Sequence, residues 1–165
     1  MDCGPAHFRE LLRDQTPWID VRAPVEFAGG AIPGAKNLPI LTDAERHEIG
    51  TLYKSAGQSA AVERGHQLVS GIVRESRIAA WSAAARREPA SVLYCFRGGM
   101  RSQIAQAWLR EAGVSLPIVE GGYKALRRFL FESLETEVAR RRFRVVTGPT
   151  GSGKTAYLRA QGKPF

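Results

Sequence analysis

The chain has few of the residues that build secreted or metal-bound scaffolds. Its two cysteines, Cys3 and Cys95, cannot form a disulfide framework. Of its three histidines, His47 and His66 fall in a charged, helix-like stretch with no cysteine or aspartate at ligand spacing, so no metal site is expected. There is no apolar run long enough to cross a bilayer, and no basic segment followed by an apolar one opens the chain. No membrane partner is therefore expected, and a reducing cytoplasm is the expected location. Internal repeats and low-complexity segments are also missing, which excludes solenoid architectures. At 44% hydrophobic and 24% charged over 165 residues, what remains is an ordinary globular composition.

Acidic residues run short toward the end of the chain. Residues 1 to 120 hold 14 Lys and Arg against 13 Asp and Glu, whereas 121 to 165 hold 10 against 3. The formal charge of +8 thus belongs to the last part of the sequence. Its densest patch is Arg140, Arg141, Arg142 and Arg144, which suits either a polyanion or a solvated helix end with cations near its negative pole.

Short apolar runs alternate with helical patterns along the rest of the chain. The runs are "PWIDV" (17 to 21), "SVLYC" (91 to 95), "LPIVEGG" (116 to 122) and "FRVVTG" (143 to 148). Each is bounded by Pro, Gly or charge and is rich in Val, Ile or aromatics, as buried parallel strands are. In "RSQIAQAWLREAG", Ile104, Ala105, Ala107, Trp108 and Leu109 form one apolar stripe, and Gly113 is placed to cap the helix. A second helix is expected through Leu126, Phe129, Leu130, Leu134 and Val138. This alternation implies an α/β fold with a parallel sheet, in which ligands bind beyond the carboxyl ends of the strands.

Cys95 is expected at one of those strand ends, in the stretch "YCFRGGMRSQIA" (94 to 105). If residues 95 to 101 turn from strand into helix, Gly98 and Gly99 allow their amides to converge on one point above the helix N-terminus. Those amides, the helix end and the guanidinium groups of Arg97 and Arg101 favour thiolate over thiol and would also hold an oxyanion. A thiolate placed where an oxyanion docks can attack sulfur, selenium or phosphorus. The competing reading is a small buried residue that merely ends a strand. Asp20 and Arg22 end the first strand at the same edge, where they could support the loop or simply pair with each other. Tyr123 and Lys124, after the third run, line the pocket or stand at an ordinary helix start.

Gly148, Gly153, Lys154 and Thr155 complete the pattern G-x-x-x-x-G-K-[ST], with Gly151 inside it. Such a loop cradles phosphates on its amides, with the lysine at the terminal ones and the threonine on Mg²⁺. Ten residues follow Thr155, against the order of 100 that a domain needs for a core, so the chain is expected to be a fragment that binds nucleotide weakly or not at all.

These stretches carry a resemblance. "IDVRAPVEFAGGAIPGAKNLP" (19 to 39) resembles the first signature of the rhodanese superfamily, apart from Ala31 where many members have histidine, and "YCFRGGMRSQIA" resembles its catalytic loop. "GTLYKSAGQSAAVERGHQLV" (50 to 69) and "EGGYKALRRFL" (120 to 130) resemble the rhodanese half of the tRNA 2-selenouridine synthase family, which joins a rhodanese domain to a P-loop domain. The resemblance implies a rhodanese-like domain over 1 to 138 and the beginning of a P-loop domain over 139 to 165. It implies exchange of sulfur for selenium in wobble 2-thiouridine of tRNA, with selenophosphate as donor and geranyl diphosphate as a second substrate of related proteins, and no tightly bound cofactor. A selenophosphate-producing enzyme is an implied partner. Cys95 matches the cysteine needed for selenation, Arg97, Gly98, Gly99 and Arg101 match its loop, and Gly148 to Thr155 match the diphosphate or tRNA-handling half.

Three alternatives stay open at this stage. One is a thiosulfate sulfurtransferase. Another is a cysteine phosphatase, because Cys95 to Arg101 has the spacing C-x5-R, one residue longer than the C-x-x-G-x-R loop common in single-domain sulfurtransferases; against it, no Asp or Glu in the loop could act as general acid. The last is a non-catalytic module that docks tRNA through 121 to 144.

Overall fold

A computed structural model of the chain describes residues 2–142 and 145–161. They divide into two compact units, with the boundary between Phe131 and Glu132.

The first unit is built on a parallel sheet of three short strands, β1 (Trp18–Asp20), β2 (Lys36–Asn37) and β3 (Val92–Tyr94), in the order β2-β1-β3. Ile19 pairs with Lys36 on one side and Leu93 on the other. Both β1 and β3 are buried throughout because helices cover both faces, which explains why their sequences read as continuous apolar runs. Successive side chains alternate between two cores. Ile19, Val21, Leu93 and Cys95 join the larger core with Trp81, Ala105, Trp108 and Leu109. Trp18, Val92 and Tyr94 join the smaller one with Phe8, Ile32, Val119 and Leu126.

The helices are α1 (Phe8–Arg13), α2 (Pro24–Ala28), α3 (Asp43–Leu68), α4 (Gly71–Arg87), α5 (Met100–Glu111), α6 (Gly122–Arg140) and, in the second unit, α7 (Lys154–Ala160). Thr42 starts α3 with a reciprocal cap: its Oγ1 accepts from Glu45 N, and Glu45 Oε2 accepts from Thr42 N. The helix is broken at Gly57, whose φ of 85° and ψ of −176° lie outside helical space. Beyond the break, Gln58 Nε2 lies 3.2 Å from Met100 Sδ at the start of α5.

Two expected strands form differently. Residues 116–119 run parallel to β3 but make only single bridges, Ile118 to Leu93 and Val119 to Cys3. The pairing stops because Gly121 and Gly122, at φ of 72° and 58°, turn the chain into α6. In the run 143 to 148, Phe143 and Arg144 lie outside the described residues. Residues 145–148 are not a strand, since no described segment pairs with them and a lone strand leaves its backbone groups unpaired. Residues 148–153 form a glycine-rich turn, with Gly148, Gly151 and Gly153 all at positive φ, leading into α7.

Candidate active site

Cys95 follows β3 directly and is 3% exposed, on the side of the sheet that carries the larger core. The backbone then crosses Phe96, Arg97, Gly98 and Gly99 before α5 begins at Met100. Among the described residues, none of the amides of residues 96–101 donates to another protein group. Six consecutive amides without a protein acceptor, the last two in the first turn of a twelve-residue helix, leave donors available to an anion at this loop.

The loop's carbonyls are committed elsewhere. Tyr123 N donates to Cys95 O at 2.9 Å and Lys124 N to Phe96 O at 3.0 Å, so the first amides of α6 fix the path of the loop. This requires backbone-to-backbone contact. At Gly98, φ 64°, a Cβ would stand 2.6 Å from Val119 O and 2.7 Å from Gly121 N. One at Gly122 would collide with Cys95 O and with Gly98 N. The glycine pair 121–122 is therefore part of the site, although nothing in its local sequence points across to the cysteine loop.

Cys95, Phe96, Arg97, Gly99 and Arg101 line one open pocket of about 740 Å³, together with Arg22, Glu26, Arg46, Lys54 and Tyr123. Arg97 is exposed and its guanidinium lies 5.9 Å from the Phe96 ring. Arg101, the other loop arginine expected beside an anion, has an ion-pair partner: its Nη1 donates to Glu26 Oε2 at 2.5 Å and its Nη2 to Oε1 at 3.2 Å. Glu26 also accepts from Ala23 N and lies 3.4 Å from Arg46. Burial alone would raise the Glu26 carboxyl, but the hydrogen bonds and charge of Arg101, with help from Ala23 N and Arg46, hold it below the usual carboxylate range.

Asp20 and Arg22 form a buried pair. Arg22 Nη2 donates to Asp20 Oδ2 at 2.6 Å and Nε to both carboxylate oxygens, while Arg22 N donates to Oδ1 at 2.9 Å. The guanidinium also reaches Gly30 O and stacks 4.0 Å from the Tyr123 ring. Arg22 thus ties the β1 turn to the first turn of α6 under the pocket, while Asp20 balances its charge.

Ser102 escaped the sequence reading. Its Oγ is 3.3 Å from Cys95 Sγ and donates to Gly99 O at 3.0 Å. Glu26 was legible only as part of a signature, not as the partner of Arg101. Position 102 is the third of α5 and the first of the helix expected from the sequence, where a serine reads as an ordinary capping residue.

A second pocket of about 420 Å³ adjoins the same loop. Its walls are apolar, with Leu41, Ile49, Ala61, Ile104 and Trp108 among them, and it meets the loop at Gly99 and Met100. In the second unit, Lys154 Nζ donates to Gly148 O at 2.8 Å and Pro149 O at 2.6 Å, closing the glycine-rich turn on itself, and Thr155 is exposed. Among the described residues no three His, Cys, Asp or Glu side chains could hold a metal ion, and no helix is long and apolar enough to cross a membrane.

Residues 5–128 match the family described as the rhodanese-like domain. The chain is 58% identical over 153 residues to tRNA 2-selenouridine synthase from Bordetella bronchiseptica, covering 92% of this chain and 42% of that protein. It is 52% identical over 155 residues to the protein of the same name from Bdellovibrio bacteriovorus, covering 94% and 41%. The chain therefore spans about two fifths of the length of these curated relatives. Among solved structures, the N-terminal domain of a protein from Clostridium difficile described as ATP/GTP binding superposes with a TM-score of 0.70 at 32% identity, covering 79% of this chain and 98% of that one.

Proposed function

The chain belongs to the rhodanese-like domain family, and from that premise we propose that it supplies the chalcogen-transfer site of an enzyme that replaces sulfur by selenium in wobble 2-thiouridine of tRNA. The carrying observation is Cys95 at the head of a loop whose next six amides have no protein acceptor among the described residues and lead into the N-terminus of α5. A selenophosphate or thiosulfate anion placed there receives those amides and Arg97, and its chalcogen faces the sulfur nucleophile. Identity above 50% to proteins named tRNA 2-selenouridine synthase supports tRNA as the final acceptor. In this reading a selenophosphate-producing enzyme provides the donor, and the loop from Gly148 to Thr155 binds a diphosphate or helps hold tRNA. The apolar pocket beside Met100 favours one addition, that geranyl diphosphate is a second substrate whose hydrocarbon needs such walls.

Phosphatase chemistry is disfavoured. The only carboxylate lining the Cys95 pocket among the described residues is Glu26, and Arg101 keeps it ionised, so it has no proton to give a leaving group at neutral pH. Mass spectrometry after incubation with thiosulfate, and separately with selenophosphate, tests the proposal. The expected result is a gain of one sulfur or one selenium on Cys95, lost in Cys95→Ala. A protein that gains neither, or that Cys95→Ala leaves equally loaded, would overturn it.

A further inference from the structure

We propose that Ser102 is a catalytic residue of this site, its hydroxyl acting as the hydrogen-bond donor to Cys95 Sγ whenever that sulfur bears negative charge. The inference rests on the reading of Cys95 as a chalcogen carrier. Ser102 is wholly buried, with its Oγ 3.3 Å from Cys95 Sγ, within reach for a sulfur acceptor. Its present acceptor does not need it. Gly99 O already receives Ser102 N at 3.1 Å and Gln103 N at 3.2 Å, and a carbonyl offers two lone pairs, so the hydroxyl is a third donor. Rotation about the Cβ–Oγ bond can turn that proton to the sulfur and leave no backbone group unpaired.

The charge on sulfur decides which way it points. As a thiol, Cys95 can donate to Ser102 Oγ while the hydroxyl donates to Gly99 O. As a thiolate it only accepts, and Ser102 is a neutral donor already in contact. In charging with thiosulfate, the thiolate attacks the outer sulfur and a new S–S bond forms. The bond between that sulfur and the sulfonate sulfur breaks, and sulfite leaves with the electron pair. Negative charge now sits on the outer sulfur, and the hydroxyl returns to Gly99 O. In discharge, a nucleophile such as cyanide bonds to the outer sulfur, the S–S bond breaks, and its electron pair goes to Cys95 Sγ as thiocyanate departs. Ser102 then stabilises the leaving thiolate, and its own proton stays on oxygen throughout.

Two rates on the full chain test this: single-turnover discharge of the loaded protein by cyanide, and alkylation of the unloaded protein by iodoacetamide. Ser102→Ala is expected to slow both on the order of tenfold at neutral pH, the size of one charge-assisted hydrogen bond. The alkylation deficit should shrink as pH rises. Arg22, Glu26, Arg46, Lys54, Arg97 and Arg101 line the pocket in both proteins, so the difference isolates the hydroxyl. Ser102→Thr, which restores the hydroxyl, should recover most of either rate. Alkylation within twofold of the parent in a folded Ser102→Ala protein would overturn the proposal. So would a loss that tracks a lowered melting temperature and is not recovered by threonine. If the parent itself fails to load with thiosulfate, the carrier reading falls, while alkylation still tests Ser102.

Discussion

At the scale of single residues, Arg22, Glu26, Arg46 and Arg101 each have an ion-pair partner at the site, while Arg97 is exposed. Cys95 and its two arginines are recognisable from sequence because seven adjacent residues form the loop. Glu26 is not recognisable as a partner, since 75 positions separate it from Arg101 and only folding brings α2 to the start of α5. Its carboxyl is lowered in the folded protein, so its contribution to stability is present above the unfolded value, near pH 4.3, and is lost as pH falls through the folded value. Glu26→Gln should therefore be less stable than the parent at pH 7, by about 1.5–3 kcal/mol for a hydrogen-bonded charge. The gap should close on acidification below about pH 4, a window set by the lowered carboxyl. Urea unfolding at a series of pH values would show it, and a gap that persisted at pH 2 would contradict this account.

At the scale of elements, the cysteine loop is positioned by a second loop rather than by its own strand and helix alone. The turn at Gly121 and Gly122 ends the pairing of 116–119 and sends two amides of α6 onto the carbonyls of Cys95 and Phe96. Gly122→Ala must place a methyl into Cys95 O at a φ of 58°, so it should displace the loop. The expected outcome is a loss of about 1–3 kcal/mol in stability, the cost of a strained left-handed residue, together with loss of sulfur loading at Cys95. Gly113→Ala makes a suitable control, because its φ of 76° is comparably strained but a Cβ there meets nothing. If both variants lost stability alike and both still loaded sulfur, the packing of 121–122 would not be what holds the loop. Sequence periodicity located the strands at 18–20 and 92–94 and the helices at 100–111 and 122–140 to within a few residues. It overstated the run at 116–122, since apolar character marks burial and does not say how many partners a strand will find.

At the scale of the whole molecule, the basic excess after residue 120 bears on nucleic-acid binding. Arg140, Arg141 and Arg142 lie at the end of α6, with Arg141 3.4 Å from Glu137 and the other two exposed, while Arg144 is outside the described residues. If tRNA is the acceptor, replacing Arg140 and Arg142 by Gln should weaken its binding and reduce the slope of log affinity against log salt by about one to two. Filter binding over a range of KCl would measure it, and an unchanged slope would remove these arginines from the interface. The sequence by itself determined the α/β class, the cysteine loop with its glycines and arginines, and the P-loop pattern, because each is written in neighbouring residues with a fixed local geometry. Only the tertiary structure decided that Arg101 answers to Glu26, that Gly122 packs bare against the backbone of Cys95, that Arg22 and Asp20 form a buried brace, and that a serine hydroxyl touches the sulfur. The first two join segments far apart in the chain, and Arg22 reaches as far through its contact with Tyr123. The serine is only seven residues from the cysteine, yet its contact also depends on how β3, the loop and α5 fold back, which no local pattern specifies.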